Sequence, residues 1–308
     1  MKYFATTFIG AEEIVEKELK LKAIKQKGFL IFNKKPKETL KSVVRAGIYL
    51  KHFNFKDLKE YKKQISDLEF PIKKDFAVYC ERYGKHKFAS KDIEIETANQ
   101  IDEKVNLESP ETLVYVLIKE DSCLIGIDLF KRRLDKRSYR IKPHPNQLNS
   151  SIANIALKFS NFTSKKTLLD PFCGSGIIPI EAALLKGEVY ASDNQYYCIE
   201  STSINSKIAK VKINVSKTEI KELNKKSFFD FLVTDPPIAT IRGLKGILPL
   251  YDLFFEKSFD LLKKKGTLTI ITTRPQPLQE EIKNFKLKKQ LILDKNNLKY
   301  YILVFKKH

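Results

Sequence analysis

The chain has 308 residues, 43% of them hydrophobic and 11% aromatic, which suffices for more than one buried core and excludes general disorder. Its 57 Lys and Arg outnumber 37 Asp and Glu, leaving a net charge of +20 and a pI near 9.5, a balance that favours a polyanionic partner such as nucleic acid. No apolar run reaches the roughly 18–20 residues of a membrane span, the first residues lack a secretion signal, and four cysteines (Cys80, Cys123, Cys173, Cys198) and four histidines are too scattered for a disulfide framework or a metal site. A cytoplasmic, metal-free monomer with no membrane partner is expected.

In chain order, residues 3–8 read as a strand, 12–25 as a helix with Ile14, Val15, Leu19 and Ile24 on one side, 29–32 as a strand and 37–50 as a second helix. A second α+β unit follows. Its strand lies over 76–80, and its helix begins at Ser90 with Ile93, Thr97, Ile101 and Val105 at i, i+4 spacing. Residues 113–118 and 123–129 pair as strands across Glu120-Asp121-Ser122. The densest basic segment comes next: Lys131, Arg132, Arg133, Lys136, Arg137, Arg140 and Lys142 accompany the single acid Asp135. Four of the chain's eight arginines fall in it, and guanidinium suits bidentate phosphate contact.

From Thr167 the pattern changes to strand–loop–helix units, as in a doubly wound parallel sheet. Strands over 167–170, 188–193 and 231–235 each end in a carboxylate (Asp170, Asp193, Asp235), and strand ends are where such folds bind ligands. Helices are expected through Ile180–Leu184, over 199–209 and over 250–262, with further strands at 267–272, 291–293 and 300–305.

In the first of these units, Gly174 and Gly176 let the backbone approach a ligand, and Asp193 is placed to accept from ribose hydroxyls. Pro179 stands where a dinucleotide fingerprint has its third glycine, so a nucleoside without phosphates, S-adenosylmethionine, fits better. Asp235-Pro236-Pro237 cannot continue as strand or helix. It sets a carboxylate beside the Pro236 carbonyl, two acceptors that suit an exocyclic amine with two N–H donors.

Asp170-Pro-Phe-Cys-Gly-Ser-Gly176, Pro179-Ile-Glu181, Ser192-Asp193 and Thr234-Asp235-Pro-Pro237 resemble the amino-methyltransferases that act on guanine N2 or adenine N6. The N-terminal half is similar to their THUMP-containing branch, the tRNA guanine-N2 methyltransferases of archaeal type. The similarity runs through Phe76 to Asp92, Val105 to Pro110, Ile125-Gly-Ile-Asp128 and Leu134 to Arg140. This resemblance implies an α/β protein: a Rossmann-like methyltransferase domain (151–308) behind an N-terminal ferredoxin-like domain (1–55), a THUMP domain (56–130) and a basic linker (131–150).

The same resemblance implies that the THUMP region grips the 3′ end of tRNA while the catalytic domain methylates a guanosine. S-adenosylmethionine would be bound by Gln147, Asn149, Asp170, Phe172, Gly174, Gly176, Asp193, Asn194, Glu219 and Asp235. Asp235, Pro236, Pro237 and Ile238 would hold the reactive amine. Arg82, Lys85, His86, Lys87, Arg132, Arg133, Arg137, Arg140, Arg242 and Lys245 would contact RNA. The segment Ile241 to Tyr251 is closer to enzymes of acceptor-stem position 6 than to those of position 10. One departure stands out: Ile238-Ala239 replaces the aromatic residue that usually follows the two prolines. Three alternatives stay open: the same chemistry at position 10, methylation of adenine N6, and a tRNA-binding protein with a degenerate catalytic site.

Overall fold

The computed structural model describes residues 1–142, 147–238, 244–275, 284–295 and 298–307, with 244 and 245 described by backbone alone. The chain divides into two compact units. The first (1–7 and 15–134) is built on one eight-stranded sheet. Its strands are β1 (Tyr3–Thr6), β2 (Ile24–Gln26), β3 (Phe29–Phe32), β4 (Arg45–Asn54), β5 (Asp75–Tyr83), β6 (Lys104–Val105), β7 (Thr112–Lys119) and β8 (Ser122–Asp128), in the order β2-β3-β1-β4-β8-β7-β5-β6. The segments 1–55 and 56–130, expected as separate domains, share a sheet, joined where β4 pairs antiparallel with β8. Helices α2 (Leu58–Ile65) and α3 (Ser90–Ala98) cover a core that includes Tyr61, Ile65, Phe76, Ile93 and Val116.

Two helices expected from periodicity give way to strand. Residues 37–50 contain β4, because Ser42 to Gly47 are buried at every position and Gly47 lies against β8, where an added Cβ would sit 1.8 Å from the Ile127 carbonyl oxygen. Helix α1 (Glu12–Leu19) stops earlier than its apolar pattern suggests, since Lys20 takes φ +56° and Ile24 enters β2. A buried ionic node crosses the middle of this sheet. Arg45 pairs with Asp128 and Glu81, lies 4.7 Å from the Tyr79 ring centre, and Glu81 also receives the Tyr115 hydroxyl at 3.0 Å.

The second unit (8–14 and 135–308) contains a seven-stranded sheet of β9 (Thr167–Asp170), β10 (Glu188–Asp193), β11 (Asn214–Lys217), β12 (Phe229–Thr234), β13 (Leu262–Thr272), β14 (Phe285–Lys295) and β15 (Leu298–Lys307). The order is β11-β10-β9-β12-β13-β15-β14, parallel except for the antiparallel pairings of β15. Helix α7 (Leu244–Leu261) packs on one core through Tyr251, Phe254 and Leu261, with Leu169, Leu232 and Leu268 from the sheet. Helix α5 (Ile177–Leu184) lies on β9 and β10, flanked by α4 (Ser150–Phe159) and α6 (Tyr196–Ile208). No helix among the described residues is long and apolar enough to cross a membrane.

Far from the acidic strand ends, Asp230 at the start of β12 ties that strand to β9. Thr167 donates to it from its backbone N–H (3.1 Å) and hydroxyl (2.8 Å), and Lys263 from Nζ (3.0 Å). Burial raises its pKa, but these donors outweigh it and bring the group down to about 2. A carboxylate with a lowered folded-state pKa stabilises the fold above its unfolded pKa and ceases to do so as the pH falls through the folded value. Asp230→Ala should cost about 1–2 kcal/mol at pH 7. In urea melts the difference from wild type should shrink between pH 4 and 2, and a constant difference would show that the loss is steric.

Candidate active site

Three neighbouring parallel strands bring three acids to one edge of the sheet. Asp170 ends β9, Asp193 ends β10, and Asp235 follows Thr234 at the end of β12. Adjacent strands lie about 4.8 Å apart, and β9 stands between the other two. The winding reverses at β9, the point where open α/β sheets form a ligand crevice. A cleft of about 870 Å³ opens there.

The first turn shapes the cleft floor. Gly174 adopts φ +51°, and a Cβ built on it would meet nothing within 4 Å, so its bare backbone faces open space. Its N–H donates to Asp193 Oδ2 at 3.0 Å while the Gln195 N–H donates to Oδ1, also at 3.0 Å. Both carboxylate oxygens are thus fixed in place. Asp170 is 1% exposed, with Pro171 next to it on the cleft wall. Its Oδ1 accepts from the Phe172 N–H at 3.2 Å, and the Thr234 hydroxyl lies near enough to favour the ionised form. Burial first, and then the charges of Asp235 and Asp193, hold the Asp170 carboxyl well above its ordinary range.

Gln147 supplies a complementary donor. Arg140 donates to its Oε1 from Nε (3.1 Å) and Nη2 (2.5 Å), and a guanidinium has only donors, so the amide cannot be reversed. Its Nε2 is left buried, without a partner among the described residues, in a side chain that lines the cleft. At the other end, Asp235 is half-buried and desolvation pushes its carboxyl up to about 7. The loop that follows is held from α7, whose Tyr251 hydroxyl donates to the Pro237 carbonyl at 2.7 Å.

Of the residues expected from sequence, Gln147, Phe172, Gly174, Asp193, Asn194, Glu219, Asp235, Pro236, Pro237 and Ile238 line this one cleft. Asn149 does not. It caps α4, accepting from the Ser151 and Ile152 N–H groups and donating to Asp135 at 2.8 Å. Gly176 caps α5 at φ +83°, where a Cβ would crowd Thr202 at 2.8 Å, so it shapes the turn from outside the lining.

The basic residues separate into exposed and committed groups. Lys85 and Lys87 are exposed. Arg82 donates to His86 Nδ1 at 2.9 Å, and His86 Nε2 lies 2.6 Å from the Glu120 carbonyl oxygen. Arg132 is exposed and paired with Glu38, while Arg133 pairs with Glu81 at 2.9 Å. Arg137 corrects the phosphate-binding expectation: it is buried on Glu181 at 2.8 Å, together with the Tyr139 hydroxyl and the Asn154 amide. Arg242 and the Lys245 side chain lie outside the described residues. The sequence reading missed Thr218, Arg274 and Tyr300, which line the cleft from strands and loops whose neighbours only the sheet register reveals. Among the described residues no three metal-ligating side chains converge.

Residues 137–295 match the RMKL-like methyltransferase domain, and residues 53–128 match the THUMP domain. The chain belongs to the RMKL-like methyltransferase family. It is 26% identical to the tRNA (guanine(6)-N2)-methyltransferase of Methanocaldococcus jannaschii, an alignment covering 94% of this chain and 96% of that one. The fold is that of the crystal structure of TrmN from Thermus thermophilus, with a TM-score of 0.82 at 20% identity over 100% of this chain and 99% of the other. SMU.472, solved in complex with SAH, superposes with a TM-score of 0.77 at 20% identity over 100% and 98% of the two chains.

The methyl donor of this methyltransferase is S-adenosylmethionine. The site suits it: the unpartnered buried amide of Gln147, a bare glycine facing open space, and Asp193 and Asp235 on the cleft wall fit a cationic nucleoside without phosphates. Two outcomes are expected from titration calorimetry. Gly174→Ala should weaken S-adenosylmethionine binding at least ~10-fold, while the left-handed backbone position limits the stability loss to about 1–2 kcal/mol. Because Asp235 ionises near pH 7, affinity for the sulfonium cofactor should rise from pH 6 to 8 more than affinity for its neutral thioether product; equal slopes would mean that Asp235 does not sense the sulfonium.

Proposed function

We propose that this methyltransferase acts on the N2 amine of guanosine 6 in the acceptor stem of tRNA, with the THUMP region gripping the 3′ end. The observation that carries the reading is Asp235 at the cleft wall, followed by the rigid Pro236-Pro237 segment that Tyr251 holds. The near-full-length similarity to a position-6 enzyme supports the choice of nucleotide. The surplus of 57 cations over 37 anions supports a nucleic-acid substrate, and the exposed Lys85 and Lys87 are candidates for phosphate contacts.

In this reading Gln147, Gly174 and Asp193 hold the cofactor, with Glu219 at the adenine end and Asp170 behind the wall. The cofactor supplies an electrophilic methyl group when bound. The protein's own task is to present the amine. An exocyclic guanine amine has its lone pair delocalised into the ring and is a poor nucleophile. Accepting its two N–H donors at the Asp235 carboxylate and the Pro236 carbonyl fixes its direction and draws electron density back onto nitrogen. With its pKa near 7, the ionised Asp235 is also matched to hold the proton that the amine gives up. A guanosine in a stem must first leave its helix, which a single-strand grip at a distance from the reacting base would leave the cleft free to accommodate.

Asp235→Ala should lower kcat by at least ~100-fold, the scale of losing a positioned acid–base group, with tRNA affinity within about twofold of wild type. For wild type, kcat/KM should fall on the acid side with a midpoint near pH 7, since protonation removes the acceptor. Methyl-labelled cofactor and unmodified transcript, followed by nucleoside digestion, should yield labelled N2-methylguanosine. Label on N6-methyladenosine would move the chemistry to adenine, label on guanosine 10 would move it within the tRNA, and tight binding without label would make the protein a tRNA-binding module.

A further inference from the structure

The cleft wall beside Asp235 has an exposed aliphatic residue where a planar base would need a flat apolar partner. Ile238 is 42% exposed and lines the cleft. Two aromatic side chains among the described residues also line it, Phe172 and Tyr300. Phe172 packs on Phe254 of the α7 core, with ring centres 5.6 Å apart. Tyr300 is placed differently. It belongs to β15, which runs antiparallel to β13, and its neighbour Tyr301 pairs with Thr272 at the last position of β13. Tyr300 therefore stands just past the carboxyl edge of the parallel strands, the edge that carries Asp170, Asp193 and Asp235. Tyr301 packs on the α7 core, so strand alternation turns Tyr300 to the other face.

We propose that Tyr300 is the stacking platform for the target base, its ring covering one face of the purine whose amine is held at Asp235, with Ile238 as a second apolar contact. The inference rests on the amine-site reading above and adds a positioning residue from a strand remote in sequence. Its phenol is half-buried and senses Asp235, whose charge adds to burial in raising the phenol's pKa. Only β13 stands between β12, which leads into Asp235, and β15, which carries Tyr300, and both residues line the same cleft. A purine offers the same π face whatever its edge carries, so the platform holds the ring in place and the Asp235-Pro236 acceptors select the amine.

The chain contains no tryptophan, so Tyr300→Trp introduces a single indole that reports stacking directly. Its emission should be quenched when unmodified tRNA is added in the presence of S-adenosylhomocysteine and should change little with S-adenosylhomocysteine alone. Unchanged emission while filter binding shows the tRNA bound would overturn the proposal. Tyr300→Ala should lower kcat/KM for tRNA roughly 5- to 150-fold, the range for loss of one base–aromatic stack, with cofactor affinity within about twofold. Tyr300→Phe should stay within about threefold, because the ring and not the hydroxyl acts. Equal losses in Ala and Phe variants would assign the effect to the hydroxyl and also overturn it. The wild-type nucleoside assay separates the two levels: absence of N2-methylguanosine sinks the amine-site reading, while the indole emission still decides whether a base stacks at Tyr300.

Discussion

The site depends on acids meeting at the ends of parallel strands inside a strongly basic protein. Parallel pairing of β10, β9 and β12 brings Asp193, Asp170 and Asp235 to one edge, and like charges at that spacing disfavour one another. Each is managed differently. Asp193 is stabilised by two backbone N–H groups, Asp170 is buried behind the cleft, and Asp235 is desolvated at the cleft wall. Acids held above their ordinary range ionise most readily beside a cation, so a chain of +20 can attract a polyanion over its surface and still favour a cationic cofactor at its centre.

Much of the chain's arginine works inside the protein. Arg45 joins Asp128 and Glu81 within the first sheet, Arg137 joins Glu181 beneath α5, and Arg140 fixes the orientation of Gln147. Guanidinium suits these roles because its planar fork can satisfy two acceptors at once where water is excluded. Surface positive charge is left largely to lysine, whose flexible ammonium suits diffuse attraction better than geometric recognition.

What the sequence made legible follows from how local the signal is. The strands β9 and β10, the glycine turn between β9 and α5, and the Asp235-Pro236-Pro237 loop are each specified by contiguous residues, and they appear where their pattern places them. The long strand β4 was hidden because Leu40, Val43, Ala46 and Gly47 also fit a helical period; burial on both faces of a sheet interior produces such runs. Tyr300 and Arg274 carried no signal, since their place in the cleft depends on which strand lies beside β13. The basic segment misled in another way. Arg137 and Arg140 are sequence neighbours of exposed lysines, yet their partners Glu181 and Gln147 cannot be inferred from spacing.

The buried pair of Arg137 and Glu181 has a consequence for where the catalytic unit can be cut. Glu181 sits at 0% exposure on α5, and its oxygens are satisfied by Arg137, Tyr139 and Asn154. A fragment opening at Ser151, the natural choice if the basic stretch were a mere connector, would retain the carboxylate and Asn154 but lose the guanidinium and the phenol. A buried charge stripped of its partner costs about 3–5 kcal/mol, a large part of the margin that keeps an ordinary domain folded. Arg137 and Tyr139 are therefore part of the catalytic unit's interior, and a self-sufficient fragment has to begin early enough to include Asp135, whose carboxylate receives the Asn149 amide at the cap of α4.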